Sequence, residues 1–241
     1  MYSAVISLIF FAHLSVNSLA AIFAPVLDCD EVFNYWEPTH YLSHGFGLQT
    51  WEYSPEYAIR SWLYIALHAA IGQIVKFAND TTGAHLSEFY TTRLALGLIC
   101  AYCQTCLFTA VSRAVEVRVA LLMSMIMLSA TGMFYASIAY LPSSFSMYTT
   151  MLGTAASLNF KRESRTKKAI LWFGIGVIIG WPFSGALIVP LGMDELAEVM
   201  LTKDMTASIV RVRRGITLLF PFVVSTAPIL FPGGKLTLIA S

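Results

Sequence analysis

Residues 1–31, MYSAVISLIFFAHLSVNSLAAIFAPVLDCDE, decide the fold class. Met1–Leu27 contains no Asp, Glu, Lys or Arg and runs directly into Asp28, Asp30 and Glu31. A helical bilayer crossing needs about 20 apolar residues, so this run is long enough to span. No Lys or Arg precedes it, and it exceeds the roughly 7–15-residue core of a signal peptide. The expectation is an uncleaved first span that delivers three carboxylates to a membrane face.

Outward from that boundary, residues 28–60 read DCDEVFNYWEPTHYLSHGFGLQTWEYSPEYAIR. Glu37, Glu52, Glu56, Arg60, His40, His44, Trp36 and Trp51 follow the acidic trio within this stretch. Ionisable groups are costly in hydrocarbon, so such a cluster at a membrane boundary implies water or a polar ligand. Carboxylates interleaved with aromatics point to acid/base chemistry on a polar, sugar-like substrate. A base that takes a proton from an attacking hydroxyl must be a carboxylate or His held close to it, which makes Asp30 and Glu31 the candidates. The plainer reading is that Asp28, Asp30 and Glu31 end the first span and cap the next helix. Tyr35, Trp36, Trp51 and Tyr53 fit an aromatic belt at a membrane interface and also suit stacking on sugar rings. Arg60 and Arg93 each open an apolar stretch. A guanidinium there suits bidentate phosphate recognition, or it snorkels from a helix end.

The whole chain is 57% hydrophobic and 12% charged, with a mean hydropathy of +0.68. Soluble domains carry about 25% charged residues, so the composition implies an all-α, polytopic membrane protein. A net charge of +1 gives no reason to expect a nucleic-acid partner. Cys100, Cys103 and Cys106 recur every third residue inside an apolar run with no His or carboxylate nearby, which favours small helix-packing residues over metal ligands. Cys29 has no obvious partner, so no disulfide framework is implied. His40, His44 and His68 form no firm metal-ligand spacing. No metal or cofactor is expected.

Uncharged stretches mark the spans: Met1–Leu27, Ser61–Val75, Leu94–Ser112, Val119–Phe160, Ala169–Met193 and Gly215–Gly234. Val119–Phe160 is too long for one crossing at about 1.5 Å per residue, and Leu141-Pro142-Ser143-Ser144 reads as its turn. Ser61–Val75 is short and contains His68, so it is expected along the interface rather than across it. Gly180-Trp181-Pro182-Phe183 reads as a break between two half-spans that go in and come back. Short loops rich in Lys and Arg face the cytoplasm. Lys161, Arg162, Arg165, Lys167 and Lys168 therefore fix one side, and counting back places Arg113 and Arg118 there too. Asp28–Arg93 then faces the opposite, luminal side as long as Ser61–Val75 does not cross; a crossing there would put the acidic loop on the other side. That loop contains a sequon at Asn79-Asp80-Thr81. Lys203, Arg211, Arg213 and Arg214 are expected in the cytoplasm. The expected organisation is a first span (1–27), a luminal loop with interfacial helices and the acidic site (28–93), and a transmembrane helical region (94–241).

Three longer motifs carry a resemblance. They are Asp28-Cys29-Asp30-Glu31-Val32-Phe33-Asn34-Tyr35-Trp36-Glu37-Pro38-Thr39-His40-Tyr41, Gln49-Thr50-Trp51-Glu52-Tyr53-Ser54-Pro55 with Ala58-Ile59-Arg60-Ser61, and Leu141-Pro142-Ser143-Ser144-Phe145-Ser146 with Gly180-Trp181-Pro182-Phe183-Ser184. Over residues 28–190 the chain resembles the endoplasmic-reticulum mannosyltransferases that use dolichyl-phosphate mannose and have the GT-C membrane fold. It is most similar to the alpha-1,2-transferring branch that extends the lipid-linked oligosaccharide for asparagine-linked glycosylation. The resemblance implies a luminal first loop whose acidic pair, Asp30 and Glu31, carries the catalytic base. It also implies an inverting, metal-free transfer, with dolichyl phosphate leaving. Asp28, Tyr35, Trp36, Glu37, His40, Trp51, Glu52, Arg60 and Arg93 are the candidate substrate-binding residues, and the expected partners are membrane lipid, dolichyl-phosphate mannose and the lipid-linked oligosaccharide.

The chain departs from that pattern in three places. Val32 stands where a Thr is expected, and Phe231-Pro232-Gly233 where relatives carry an acidic, Tyr-rich stretch. Relatives run to roughly twice this length, and their later spans, a His-Lys-Glu-Glu-Arg-Phe motif and a luminal C-terminal domain have no counterpart here. Other classes stay open at this point: an inactive glycolipid-binding or assembly subunit, a mannosyltransferase of a related pathway such as GPI-anchor synthesis, or a transporter using the break at residues 180–182.

Overall fold

Helices account for all the regular structure among the described residues of the computed structural model, which are 2–57, 60, 62–158, 162–202 and 205–230. Lys161, Lys203, Ser61, Ala58-Ile59 and Phe231-Pro232-Gly233, on which parts of the sequence reading rest, lie outside them.

The first helix, α1 (Tyr2–Phe23), buries Ile9, His13, Asn17, Ala20 and Ala21. These positions fall three or four apart and make one helical face. That face packs along α5 (Glu88–Ala114), where small residues allow close approach. A Cβ at Gly97 would sit 3.3 Å from Asn17 and Ile138. Asn17 donates to Gly97 O at 3.0 Å and to Gln104 Oε1 at 3.2 Å, and His13 Nε2 lies 2.9 Å from Ser124 Oγ. The opposite face exposes Leu8, Phe11, Leu19 and Phe23. Polar groups inside and apolar ones outside is the pattern of a helix in lipid. By length and composition, α1 and α5 are the two helices among the described residues able to cross a membrane.

Cys100 and Cys103 of α5 are buried with Tyr140, Tyr148 and Met151, the packing role expected of them. Cys106 is half-buried and Cys29 exposed, and all four thiols are free.

Several helices overrun the expected uncharged stretches, and three departures have a visible cause or position. Helix α4 (Trp62–Thr82) has 21 residues rather than 15. It runs past Lys76, whose side chain is exposed, and stops at Gly83, which takes φ +69° and donates to Asn79 O. A lysine on an exposed face does not end a helix; a left-handed glycine does. The sequon lies in that last turn, and the Asn79 amide is bonded to both N and O of Leu86. Secondly, the first half of Val119–Phe160 is two helices, α6 (Val117–Ser129) and α7 (Thr131–Ala136), separated at Ala130 with ψ 117°. Ser129 there bonds back to Met125 O, a competition with the helix ladder that single-sequence patterning does not reveal. Thirdly, α6 begins at Val117, two residues before the uncharged stretch.

The two breaks read from Pro are present. Helix α8 (Pro142–Ser157) starts at Pro142 after an extended Leu141. Helix α9 (Arg162–Ile175) passes through a π-helical segment, Gly176–Gly180, to an extended Trp181. A 3-10 segment, Pro182–Ile188, then leads into α10 (Val189–Thr202). The arms form a hairpin, because Thr166 donates to Glu195 Oε1 at 2.6 Å and Arg165 pairs with Asp194. Ser208 and Arg211 of α11 (Met205–Leu230) also donate to Glu195 Oε2, at 3.0 and 3.1 Å. At the tip, Gly180 lies so close to α8 that a Cβ would sit 3.0 Å from Pro142 O, and Trp181 N donates to Ser146 Oγ.

In sequence along the packing, α1 lies on α5, α5 on α8, α8 on α9 and α9 on α11. Tyr2 shares a hydrogen bond with Ser112 at one end. At the other end Arg93 reaches Ala24, Tyr140 meets Glu31, and the hairpin tip meets Pro142. The acidic stretch therefore sits at the end of the bundle away from Arg113.

Candidate active site

Past α1 the chain is extended to Asp28, which caps the next turn by accepting from Asp30 N at 2.9 Å. The turn α2 (Cys29–Glu31) continues into a π-helical segment, Val32–Trp36, and then α3 (Glu37–His44). A π turn adds one residue per turn and re-aims side chains, and it recurs at functional sites. Here it lets Glu31 meet Trp36 five positions on, while Asp30 meets Asn34 four positions on. Neighbouring carboxylates are thereby sent into different surroundings.

Asp30 faces outward, with 52% of its side chain exposed. Its Oδ1 accepts from Asn34 Nδ2 at 3.0 Å, and its Oδ2 from Arg60 Nη2 at 3.1 Å. Both partners are held in turn. Thr50 donates to Asn34 Oδ1 at 2.7 Å and Tyr53 OH to Asn34 O. Arg60 also donates to Glu52 and to Tyr35 OH. Burial pushes the Tyr35 phenol up to about 12, against the opposing charge of Arg60, so it stays protonated. Each carboxylate oxygen of Asp30 keeps a second acceptor position.

Glu31 is the opposite case, at 4% exposed. Its Oε1 accepts from Trp36 Nε1 at 3.2 Å and from the backbone N of Tyr140 at 3.1 Å. Burial raises its carboxyl above the ordinary 4.5; the bonds from Tyr140 and Trp36 and the charge of Arg93 oppose that rise. Tyr140 is fully buried, stacks on His68 with ring centroids 4.0 Å apart, and shares a 2.7 Å hydrogen bond with Thr39. Glu31 thus ties the acidic turn to the segment leading into α8. A cavity of about 220 Å³ lies beside it, with Asp28, Tyr135, Ser143 and Ser144 in its wall.

The other candidates separate into groups. Tyr35, Glu52 and Arg60 join Asp30. Trp51 lies apart and exposed, its ring 5.3 Å from Tyr57. Glu37 accepts from Leu48 N at 3.3 Å, and His40 Nδ1 bonds Phe46 O at 3.0 Å. Both line a larger cavity with Trp36. Arg93 is not brought to Arg60. It is 3% exposed, donates to Ala24 O at 2.7 Å and lies over the Phe89 ring, closing the carbonyl end of α1. Asn34, Thr50 and Tyr140 are the participants that the sequence reading did not single out as site residues. The four-residue step from Asp30 was a signal for Asn34, whereas nothing in sequence spacing links Tyr140 to Glu31.

Among the described residues, Asp28, Cys29 and Asp30 are the one set whose ligand atoms lie within 4.8 Å of one another. Its oxygens already serve Asp30 N, Asn34 and Arg60.

Comparison with known proteins gives this arrangement its context. The model of the Alg9-like mannosyltransferase family matches residues 8–231. The alpha-1,2-mannosyltransferase alg9 of Schizosaccharomyces pombe is 46% identical over 190 residues, 78% of this chain and 32% of that protein. The human alpha-1,2-mannosyltransferase ALG9 is 42% identical over 183 residues, 76% and 29% of the two chains. For the Saccharomyces cerevisiae alpha-1,2-mannosyltransferase ALG9 the identity is 33% over 195 residues, 79% and 35%. The match spans about a third of the length of these relatives. No solved structure gives a significant match. With its acidic turn, Pro-initiated α8 and broken hairpin all inside the matched region, the chain belongs to the Alg9-like mannosyltransferase family.

Proposed function

We propose that this chain carries the catalytic face of an enzyme that moves mannose from dolichyl-phosphate mannose to a lipid-linked oligosaccharide, forming an alpha-1,2 linkage for protein N-glycosylation. The observation that carries the reading is the exposed Asp30 carboxylate, aimed by Asn34 and Arg60 at the end of the first apolar helix. The family and the names of the relatives support the reaction class.

In this reading the protein is a multi-pass component of the endoplasmic reticulum membrane, and the end of the bundle bearing Asp30 faces the lumen. An acceptor hydroxyl gives its proton to Asp30 while its oxygen attacks the anomeric carbon of mannose. The bond from that carbon to the phosphate oxygen breaks, the phosphate takes the electron pair, and the anomeric centre inverts. Glu31 acts as a positioning residue: its buried Oε1 accepts from Trp36 and Tyr140 and sets the turn that presents Asp30. Arg60 positions Asp30 from the other side.

Complementation of a strain lacking this mannosyltransferase tests the reading. Asp30→Asn retains the hydrogen bond from Arg60 but cannot take a proton, and general-base loss costs about 10²–10⁴-fold, so it should fail to complement. Normal growth and glycosylation with Asp30→Asn would remove Asp30 from the role of base.

A further inference from the structure

A cavity of about 520 Å³ lies between α3, α4 and the start of α5, with Trp36 in its wall. Its size falls within the roughly 300–1,000 Å³ of small-molecule sites. Glu37, His40, His68 and Glu88 line it, together with the rings of Trp36 and Phe89, whose centroids are 4.8 Å apart.

The wall carries carboxylate and imidazole acceptors beside the hydroxyls of Thr39, Ser87 and Thr92. His68 is 6% exposed, and its Nδ1 lies 2.8 Å from Tyr64 O. A carbonyl only accepts, so Nδ1 carries the proton and Nε2 presents a lone pair. His40 Nδ1 is bonded to Phe46 O. Among the described residues neither Nε2 has a hydrogen-bond partner. Two carboxylates, the His68 lone pair and three hydroxyls therefore line a space whose wall contains no Lys or Arg, and Glu88 is bonded at 3.3 Å to His44 beside it. A phosphate or diphosphate would meet like charge there. A metal ion would need ligand atoms drawn together, and no three of these groups gather within 4.8 Å of one another among the described residues. The complement of a wall of aromatics, carboxylates, imidazole and hydroxyls without Lys or Arg is a neutral polyol that can both donate and accept and that also has an apolar face.

We propose that this cavity binds a hexose of the acceptor glycan, with Glu88 and His68 accepting from sugar hydroxyls and Trp36 and Phe89 stacking on the ring. The identity of the sugar as mannose rests on the transferase reading above; the cavity's preference for a neutral polyol does not. Trp36 connects the two places, since its ring walls the cavity while its N–H holds Glu31. An occupied cavity would thus lie one side chain from the acidic turn.

Ligand-observed saturation-transfer NMR on the detergent-purified chain, with alpha-1,2-mannobiose as probe and inorganic pyrophosphate as competitor, tests this. Mannobiose should bind, and pyrophosphate should not displace it. Glu88→Ala and His68→Phe should each weaken binding about tenfold or more, the loss of a hydrogen bond to a fixed acceptor. His68→Phe keeps a ring against Tyr140, and circular dichroism verifies the helix content of both variants. Glu37→Gln serves as a third variant that leaves the packing intact. Unchanged binding in folded variants, displacement by pyrophosphate, or no binding to a folded chain would overturn the subsite. Sugar binding that persists where mannosyl transfer is absent would support the subsite and count against the transferase reading alone.

Discussion

Replacing Glu31 by Gln keeps an oxygen where Oε1 accepts from Trp36 Nε1 and Tyr140 N, whereas Glu31→Ala strands both donors. An unsatisfied buried donor costs about 1–3 kcal/mol, so Glu31→Ala should lower the thermal midpoint in detergent far more than Glu31→Gln. The pH dependence has a definite sign. Burial raises the Glu31 carboxyl above 4.5 in the folded chain, so the folded form holds the proton more tightly than the unfolded one. Its stabilising contribution is full below pH 4.5 and drains away as pH rises through the folded value. The stability of Glu31→Gln relative to the unchanged chain should therefore improve from about pH 4.5 upward; a difference that stays constant with pH would contradict a buried, raised Glu31. On the other side of the turn, Arg60→Ala frees Asp30 and Glu52 together. A small displacement of a reacting group costs about 10²-fold, and that loss in transfer is expected. Arg60→Lys should recover little of it, because one ammonium cannot replace a planar fork that serves Asp30, Glu52 and Tyr35.

At the scale of elements, turns written in Pro and Gly were legible and helix lengths written in charge were not. Pro142 and Pro182 restrict the backbone before them, and both breaks lie where the sequence places them. Charge, used as a span boundary, ended α4 at Val75 although the helix continues to Thr82. An exposed lysine tolerates either outcome. The split at Ala130 was hidden because Ala, Ser and Thr occur within helices as well as at their ends. The hairpin of α9 and α10 is closed by Glu195, the shared acceptor of Thr166, Ser208 and Arg211. Glu195→Ala removes the acceptor that Thr166 and Ser208 share, while Arg211 keeps Glu198; an unsatisfied buried donor costs about 1–3 kcal/mol, so the second half of the chain should be destabilised. The observable is faster proteolysis within α9–α11 than within α1–α5; equal cleavage of both halves would show that Glu195 is dispensable to the hairpin.

The whole molecule places its acidic stretch, the Tyr140 segment and the Trp181 tip at one end, with Tyr2, Ser112 and Arg113 at the other. Composition pointed to the helical class that the described residues show, and the acidic stretch holds the candidate site. The joining of Glu31 to Tyr140, 109 positions away, and of Asp30 to Arg60, 30 positions away, could not be read from spacing, because tertiary contacts have no period. The proposed luminal orientation of this end has its own test in Cys29, which is exposed while Cys100 and Cys103 are buried, in a chain whose half-buried Cys106 is replaced by Ser. In sealed microsomes a membrane-impermeant maleimide should label Cys29 only after permeabilisation; labelling in intact vesicles would reverse the topology. The most direct measurement for the account as a whole is mannosyl transfer from radiolabelled dolichyl-phosphate mannose to a lipid-linked oligosaccharide, with Asp30→Asn and Glu31→Gln assayed side by side. The account predicts that Asp30→Asn falls to background while Glu31→Gln keeps most of its activity. Transfer that survives Asp30→Asn and vanishes with Glu31→Gln would contradict it.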